Sequence, residues 1–247
     1  MSIWGKIIGG AAGFALGGPL GALLGGAAGH VVDRTVGERP SDVAGEAAAP
    51  TKQIAFTIAV IALGAKLAKA DGTVTRAEVE AFRQVFHVAP DEVRNVARFF
   101  DQARKHAHGY EPYARQISGM FADQPAVLEE LLGCLFHIAK ADGHVSQEED
   151  DYVRHVAQMF GFSIDDYERI RADHLGPTAG DPYQVIGVRH DAGDDAVKTA
   201  YRKLVHENHP DKLIAAGMPE EFIDVANEKL ANINAAYDEI QKRRGLS

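Results

Sequence analysis

DDAVKTAYRKLVHENHPDKL, residues 194–213, carries two conflicting signals in one run. Val197, Tyr201, Leu204 and Val205 recur at helical spacing and predict a helix from about Asp194 to Glu207 with one apolar stripe. Lys198, Arg202, Lys203 and His206 fall on its other side, and no acidic residue occurs from 197 to 206. Pro210 then breaks the pattern, because it has no N–H to donate and its ring clashes with a preceding helical turn. It also pushes His209 toward an extended backbone. The spacing predicts a loop at His209-Pro210-Asp211 that sets an imidazole, a rigid ring and a carboxylate side by side. With no metal-ligand cluster, nucleophile or phosphate loop adjoining, the tripeptide is either a bare turn or a surface presented to another protein.

The flanks define the unit. A following helix is predicted from about Pro219 to Arg243, with Phe222, Ala226, Leu230, Ile233, Tyr237 and Ile240 spaced 4, 4, 3, 4 and 3. Two such stripes joined by a constrained loop pack as an antiparallel hairpin. Before them, DPYQVIGV at residues 181–188 reads as a turn and short helix anchored by Tyr183, Val185, Ile186 and Val188. Tyr183 with Ile186-Gly187-Val188, Ala200-Tyr201-Arg202-Lys203-Leu204, His209-Pro210-Asp211-Lys212 and Ile233-Asn234-Ala235-Ala236-Tyr237 together closely resemble the J-domain of DnaJ-type co-chaperones. The resemblance implies docking on a DnaK-type ATPase and stimulation of its ATP hydrolysis. It assigns His209, Pro210 and Asp211 as loop effectors and Lys198, Arg202 and Lys203 as docking charges. Asp211 suits capture of a partner arginine by charge-assisted hydrogen bonds, and the basic stripe suits steering toward an acidic partner face. Gly193 stands where many J-domains place a Ser or Thr cap; a Gly cap is weaker by only about a few tenths of a kcal/mol.

Residues 51–175 show helical spacing and almost no strand-like alternation. KLAKADGTVTRAEVEAFRQVF, from Lys66, and HIAKADGHVSQEEDDYVRHVAQMF, from His137, repeat one design, with Asp71 and Asp142 equivalent and 71 residues apart. Each copy reads as a helix ending at Asp-Gly, a tight turn and a new helix. Gly72 and Gly143 supply the left-handed residue a helix end favours. Thr75 with Glu78, and Ser146 with Glu149, fit a capping box. The pair resembles the TerB-like helical fold, which implies a helical interaction or stress-linked module. A calcium loop needs alternating oxygen ligands over twelve residues; these turns are shorter and place Val where ligands belong. Capping and a solvated acidic face account for Glu148-Glu149-Asp150-Asp151. His87, His137 and His155 read as packing or surface residues, and His106-x-His108 is not a pair on one helix face. Cys134, the one cysteine, sits in LLGCLFHIA and reads as an inert core thiol.

The N-terminus has a different character. Between Ile7 and Val32 only His30 can carry a charge. As one helix this run would reach about 39 Å, against roughly 30 Å for a hydrocarbon core. Gly5, Gly9, Gly13, Gly17, Gly21, Gly25 and Gly29 recur every four residues. Such a stripe weakens a helix in water by about 1 kcal/mol per residue relative to Ala, but lets membrane helices approach closely. Residues 1–36 are therefore expected to form a single glycine-zipper membrane helix able to pair in a homodimer. A cleaved leader, a Gly/Ala arm and a hairpin broken at Gly17-Gly18-Pro19 are the alternatives. Charge bias is too small to orient it. GERPSDVAGEAAAP, residues 37–50, and GPTAG, residues 176–180, read as linkers.

Net charge is −9, which argues against a nucleic-acid surface. The expected architecture is all-α: membrane helix 1–36, linker 37–50, TerB-like domain 51–175, linker 176–180 and J-domain hairpin 181–247. That order resembles the DjlA-type, membrane-anchored DnaJ-like proteins. It implies a co-chaperone that recruits a DnaK-type chaperone to clients at the cytoplasmic membrane, with its C-terminal bulk in the cytoplasm. No cofactor, metal or catalytic residue is expected, and no G-x-x-x-x-G-K-[ST] loop makes the chain itself an ATPase. The alternatives are a stress-response scaffold acting through the TerB-like part and a metal sensor using its Asp-Gly turns.

Overall fold

The computed structural model describes residues 18–21, 49–68, 80, 109–175 and 181–245. Among them every regular element is helical, as the sequence predicts. The elements are α1 (Ala49–Leu67), α2 (Glu111–Met120), α3 (Pro125–Ala139), α4 (Gln147–Met159), α5 (Ile164–Leu175), α6 (Pro182–Ile186), α7 (Asp194–Glu207), α8 (Pro210–Ala216) and α9 (Ile223–Arg244). One-turn 3-10 helices precede α4 (Lys140–Asp142) and α9 (Glu220–Phe222).

Helix α1 is apolar over most of its length, and from Ile54 to Leu67 it is buried on all sides. It lies against α2 and α3. The second Asp-Gly turn has the predicted form. Gly143 adopts φ 101°, a conformation costly for a residue with a Cβ. Ser146 and Glu149 close the capping box: the Glu149 amide donates to Ser146 Oγ at 3.2 Å, and the Ser146 amide donates to Glu149 Oε2 at 2.8 Å. The first turn, with Asp71, Gly72, Thr75 and Glu78, lies outside the described residues, as do His87, His106, His108 and residues 176–180.

The acidic run after Ser146 is a solvated face only in part: Glu148 and Asp151 are exposed. Glu149 and Asp150 are buried. Asp150 accepts from Arg171 Nε at 2.6 Å, Arg154 Nη2 at 2.8 Å and the Tyr167 hydroxyl at 2.8 Å. Burial alone would raise its carboxyl, but these donors outweigh it and hold it below the usual range. Spacing could not show this, because the two arginines and the tyrosine come from different turns of α4 and α5. Cys134 is buried as expected, and burial pushes its thiol well up. Among the described residues no group of three His, Cys, Asp or Glu side chains is placed to hold a metal.

Two cores result. The first is formed by α1–α5. The second collects Tyr183, Val185, Ile186, Val197, Leu204, Ile233, Ala236 and Ile240 from α6, α7 and α9, together with Ala172 of α5. The boundary between them falls inside a helix. The spaced residues of α9 were expected to form one continuous face toward α7. Instead Phe222, Val225 and Ala226 belong to the first core, with Leu213 and Met218 before them. Phe222 meets Phe56 of α1 edge-on, ring centroids 4.9 Å apart. Only the later positions of α9, from Ile233, join the second core.

Of the glycine-rich segment, only residues 18–21 are described. They form a helical turn on the first core, with Leu20 buried and its amide donating to Gln116 Oε1 at 2.9 Å. Among the described residues no helix is long and apolar enough to cross a membrane. The expected membrane helix otherwise lies outside them.

Candidate partner-docking surface

Helix α7 begins at Gly193, which offers no side-chain cap. Arg244, at the far end of α9, holds that entry instead. Its guanidinium donates to the Ala192 carbonyl at 2.8 Å, Asp194 Oδ1 at 2.7 Å, the His190 carbonyl at 3.1 Å and the Tyr183 hydroxyl at 2.9 Å. Midway along the pair, Tyr201 stacks on Tyr237 at 3.9 Å and donates to Asn234 Oδ1 at 2.9 Å. At the other end Asn208 meets Lys229 at 2.7 Å. Contacts that run 194, 201, 208 along one helix and 244, 237, 229 along the other make the pair antiparallel, as the spacing predicts.

The predicted loop is shorter than expected. His209 is extended, φ −66° and ψ 129°, but Pro210 and Asp211 are already the first two residues of α8. Proline is excluded from helix interiors, yet at the first helical position its missing N–H has no partner to lose and its φ is preset. His209 is the N-cap: its Nδ1 accepts from the Asp211 amide at 3.2 Å. An imidazole that accepts at Nδ1 carries its proton at Nε2. The Asp211 side chain is 89% exposed and that of His209 53%. Pro210 is buried beneath them and Leu213, one turn on, enters the first core.

A shallow groove of about 440 Å³ gathers Arg202, His206, His209, Asp211 and Lys212 over Tyr201 and Val205. The structure thus brings together Arg202 and the His-Pro-Asp residues. Lys198 lies one turn earlier on the same row, since residues four apart share a helix face. Lys203 is separated from them. It lines a different cleft, of about 470 Å³, where α7 faces Asp123 in the turn before α3 and Asp166 and Arg169 of α5. Lys198, Arg202 and Lys203 are all exposed, and none forms an ion pair among the described residues. The sequence reading missed Asn208, Lys229 and Arg244. The basic end of α9 was a weak signal for Arg244; nothing in the spacing marked Lys229.

Residues 181–244 match the family model described as the DnaJ domain, residues 57–172 that of tellurite resistance protein TerB, and residues 1–49 that of the co-chaperone DjlA transmembrane domain. The chain is 31% identical to co-chaperone protein DjlA of Photobacterium profundum, over 99% of this chain and all of that protein. It is 32% identical to that of Shewanella oneidensis over the full length of both, and 30% identical to that of Coxiella burnetii over 98% of each. No solved structure matches the chain. With three matched segments in the same order and relatives aligned end to end, the chain belongs to the DjlA family of membrane-associated J-domain co-chaperones.

Proposed function

We propose that this chain docks on a DnaK-type ATPase through α7 and His209-Pro210-Asp211 and stimulates its hydrolysis of ATP beside a membrane. The observation that carries the reading is the shared groove of Arg202, His209 and Asp211, with the Asp211 carboxylate facing solvent. That carboxylate can take a bidentate pair of hydrogen bonds from a partner arginine. His209, its Nδ1 occupied, offers an Nε2–H beside it. Lys198 and Arg202 add a row of positive charge that speeds encounter with an acidic face. The chain supplies no catalytic group; bond breaking at ATP belongs to the partner.

The N-terminal glycine-rich segment anchors the chain as a single pass in the cytoplasmic membrane. Its glycine face allows two copies to pair, and the helical bulk lies on the cytoplasmic side, where a DnaK-type partner works. The TerB-like part holds or selects clients. The family match of residues 1–49 and the glycine spacing support the anchor.

The test is a steady-state ATPase assay of a DnaK-type chaperone with full-length chain in detergent. The full chain is needed because Leu213, Met218 and Phe222 are buried in the first core. Stimulation by the native chain and its loss in Asp211→Asn, with helicity unchanged by circular dichroism, is the expected result. Full stimulation by Asp211→Asn would falsify the effector assignment.

A further inference from the structure

Lys229 has no solvent exposure. An ammonium has three N–H groups, and each has an acceptor: Glu129 Oε1 at 2.7 Å, Glu130 Oε1 at 2.8 Å and Asn208 Oδ1 at 2.7 Å. Both glutamates belong to α3 of the middle helices. Glu129 is also held by Arg169 through two bonds of 2.9 and 2.7 Å. Burial alone would lower Lys229, but the two carboxylates outweigh it and its ammonium titrates above its ordinary value. At Glu129 burial is outweighed by Lys229 and Arg169, which hold its carboxyl far down; at Glu130 burial dominates and raises it.

Asn208 ends α7. Its amide and its Nδ2 both donate to the Leu204 carbonyl at 2.9 Å, so its side chain is fixed from both ends. His209, Pro210 and Asp211 follow it directly. An unbroken line of charged and polar contacts therefore runs from α3 to the docking loop. Stability alone does not call for it, since buried ion pairs replaced by well-packed apolar groups are often neutral or stabilising.

We propose that Lys229 is a positioning residue for the docking loop: gripped by Glu129 and Glu130 on α3, it fixes Asn208 and so sets the orientation of His209-Pro210-Asp211 against the basic row of α7. The inference rests on the docking function proposed above. It makes the middle helices part of the effector, because α3 decides where the loop points.

The test compares full-length chain with Asn208→Ala, which cuts the link at the loop, and with Lys229→Met/Glu130→Gln, which removes the buried ammonium together with one carboxylate. ATPase rate is measured against chain concentration. Maximal stimulation is expected to fall about tenfold or more, because misplacement near 1 Å is costly. The half-saturating concentration should change by less than about twofold, since Lys198 and Arg202 still dock. In parallel, side-chain nitrogen NMR of His209 at about pH 8, where an ordinary imidazole is neutral, should show the Nε2–H form in the native chain and a tautomer mixture in both variants. Wild-type maximal stimulation with an unchanged His209 spectrum in either folded variant overturns the proposal. A native chain that stimulates nothing sinks the docking function instead. The positioning claim is then judged by the His209 spectrum alone: a mixture supports it, no change overturns it. Loss of helicity in Asn208→Ala leaves the double variant to decide.

Discussion

Helix α7 and the first half of α9 show the same apolar spacing, yet they serve different cores. In α7 the stripe of Val197, Tyr201 and Leu204 turns inward, and the opposite row, Lys198 and Arg202, is left open. In α9 the first apolar positions turn toward the middle helices, and a lysine is buried between the two halves. A polar face opposite a stripe means solvent only when no other body is packed there. The open row of α7 was readable because nothing among the described residues covers it; the junction was not, because something does.

That contrast can be broken most directly at Phe222. Phe222→Ala removes a ring buried against Phe56 and should cost about 3–5 kcal/mol of stability. Denaturant unfolding should show the loss in the signal of the middle helices as well as the C-terminal ones. A loss confined to the C-terminal helices would mean two independent bodies. Consistent with one body, residues 181–247 alone would expose Leu213, Met218 and Phe222, and should bind a hydrophobic dye that the full chain does not.

A smaller effect is expected at Asp173, on α5 beside the junction. Both carboxyl oxygens are buried without a hydrogen-bond partner, and burial pushes the group up to about 7. A folded value above the unfolded one means the folded chain holds the proton more tightly. This contribution is fully present below about pH 4 and is lost as pH rises through about 7. Asp173→Asn should therefore be more stable than the native chain above pH 7, on the order of 4 kcal/mol, with no difference near pH 4. Thermal melts across that range check it. Burial lowers neighbouring His174 to about 3, which gives the opposite slope as pH falls below about 6.5. That slope is common to both proteins and cancels in the difference.

At the open face, stability should hardly respond. Asp211→Asn should shift unfolding by no more than about 0.5 kcal/mol, as at an ordinary surface site, while removing stimulation. The smallest effect separates two adjacent cations. Arg202→Ala should weaken docking several-fold at low salt and less at high salt, because exposed charges are screened over about 10 Å at 0.1 M. Lys203→Ala should weaken it less, because Lys203 lines the other cleft. Equal losses would show that the partner reaches both sides of α7.

The all-helical class, the second Asp-Gly turn with its capping box, the bounds of α7 and the antiparallel pairing were all legible in the sequence. Each depends on residues close in sequence or on one repeating period. The exposure of Lys198, Arg202, His209 and Asp211 was legible too; their roles rest on resemblance and await the assays above. What could not be read is what depends on distance. Lysines are almost never fully buried, and Glu130, which makes Lys229 an exception, lies 99 residues away. Glu149 and Asp150 failed as a solvated face for a related reason: Arg171 and Tyr167, which hold Asp150, stand on the next helix. Pro210 misled because position within a helix, not presence in it, decides whether proline is tolerated.

Helix α9 spans 22 residues and fills two cores with one continuous rod. That arrangement restricts how such a chain can be recombined. Each residue added to a helix turns everything beyond it by about 100°. One insertion between Ala226 and Ile233 would leave Phe222 seated but swing Tyr237 and Ile240 out of register with α7. Seven residues, nearly two full turns, would restore the angle while lengthening the rod by about 10 Å. A chimera carrying another protein's helical hairpin must therefore match the phase of α9, not merely join at a linker.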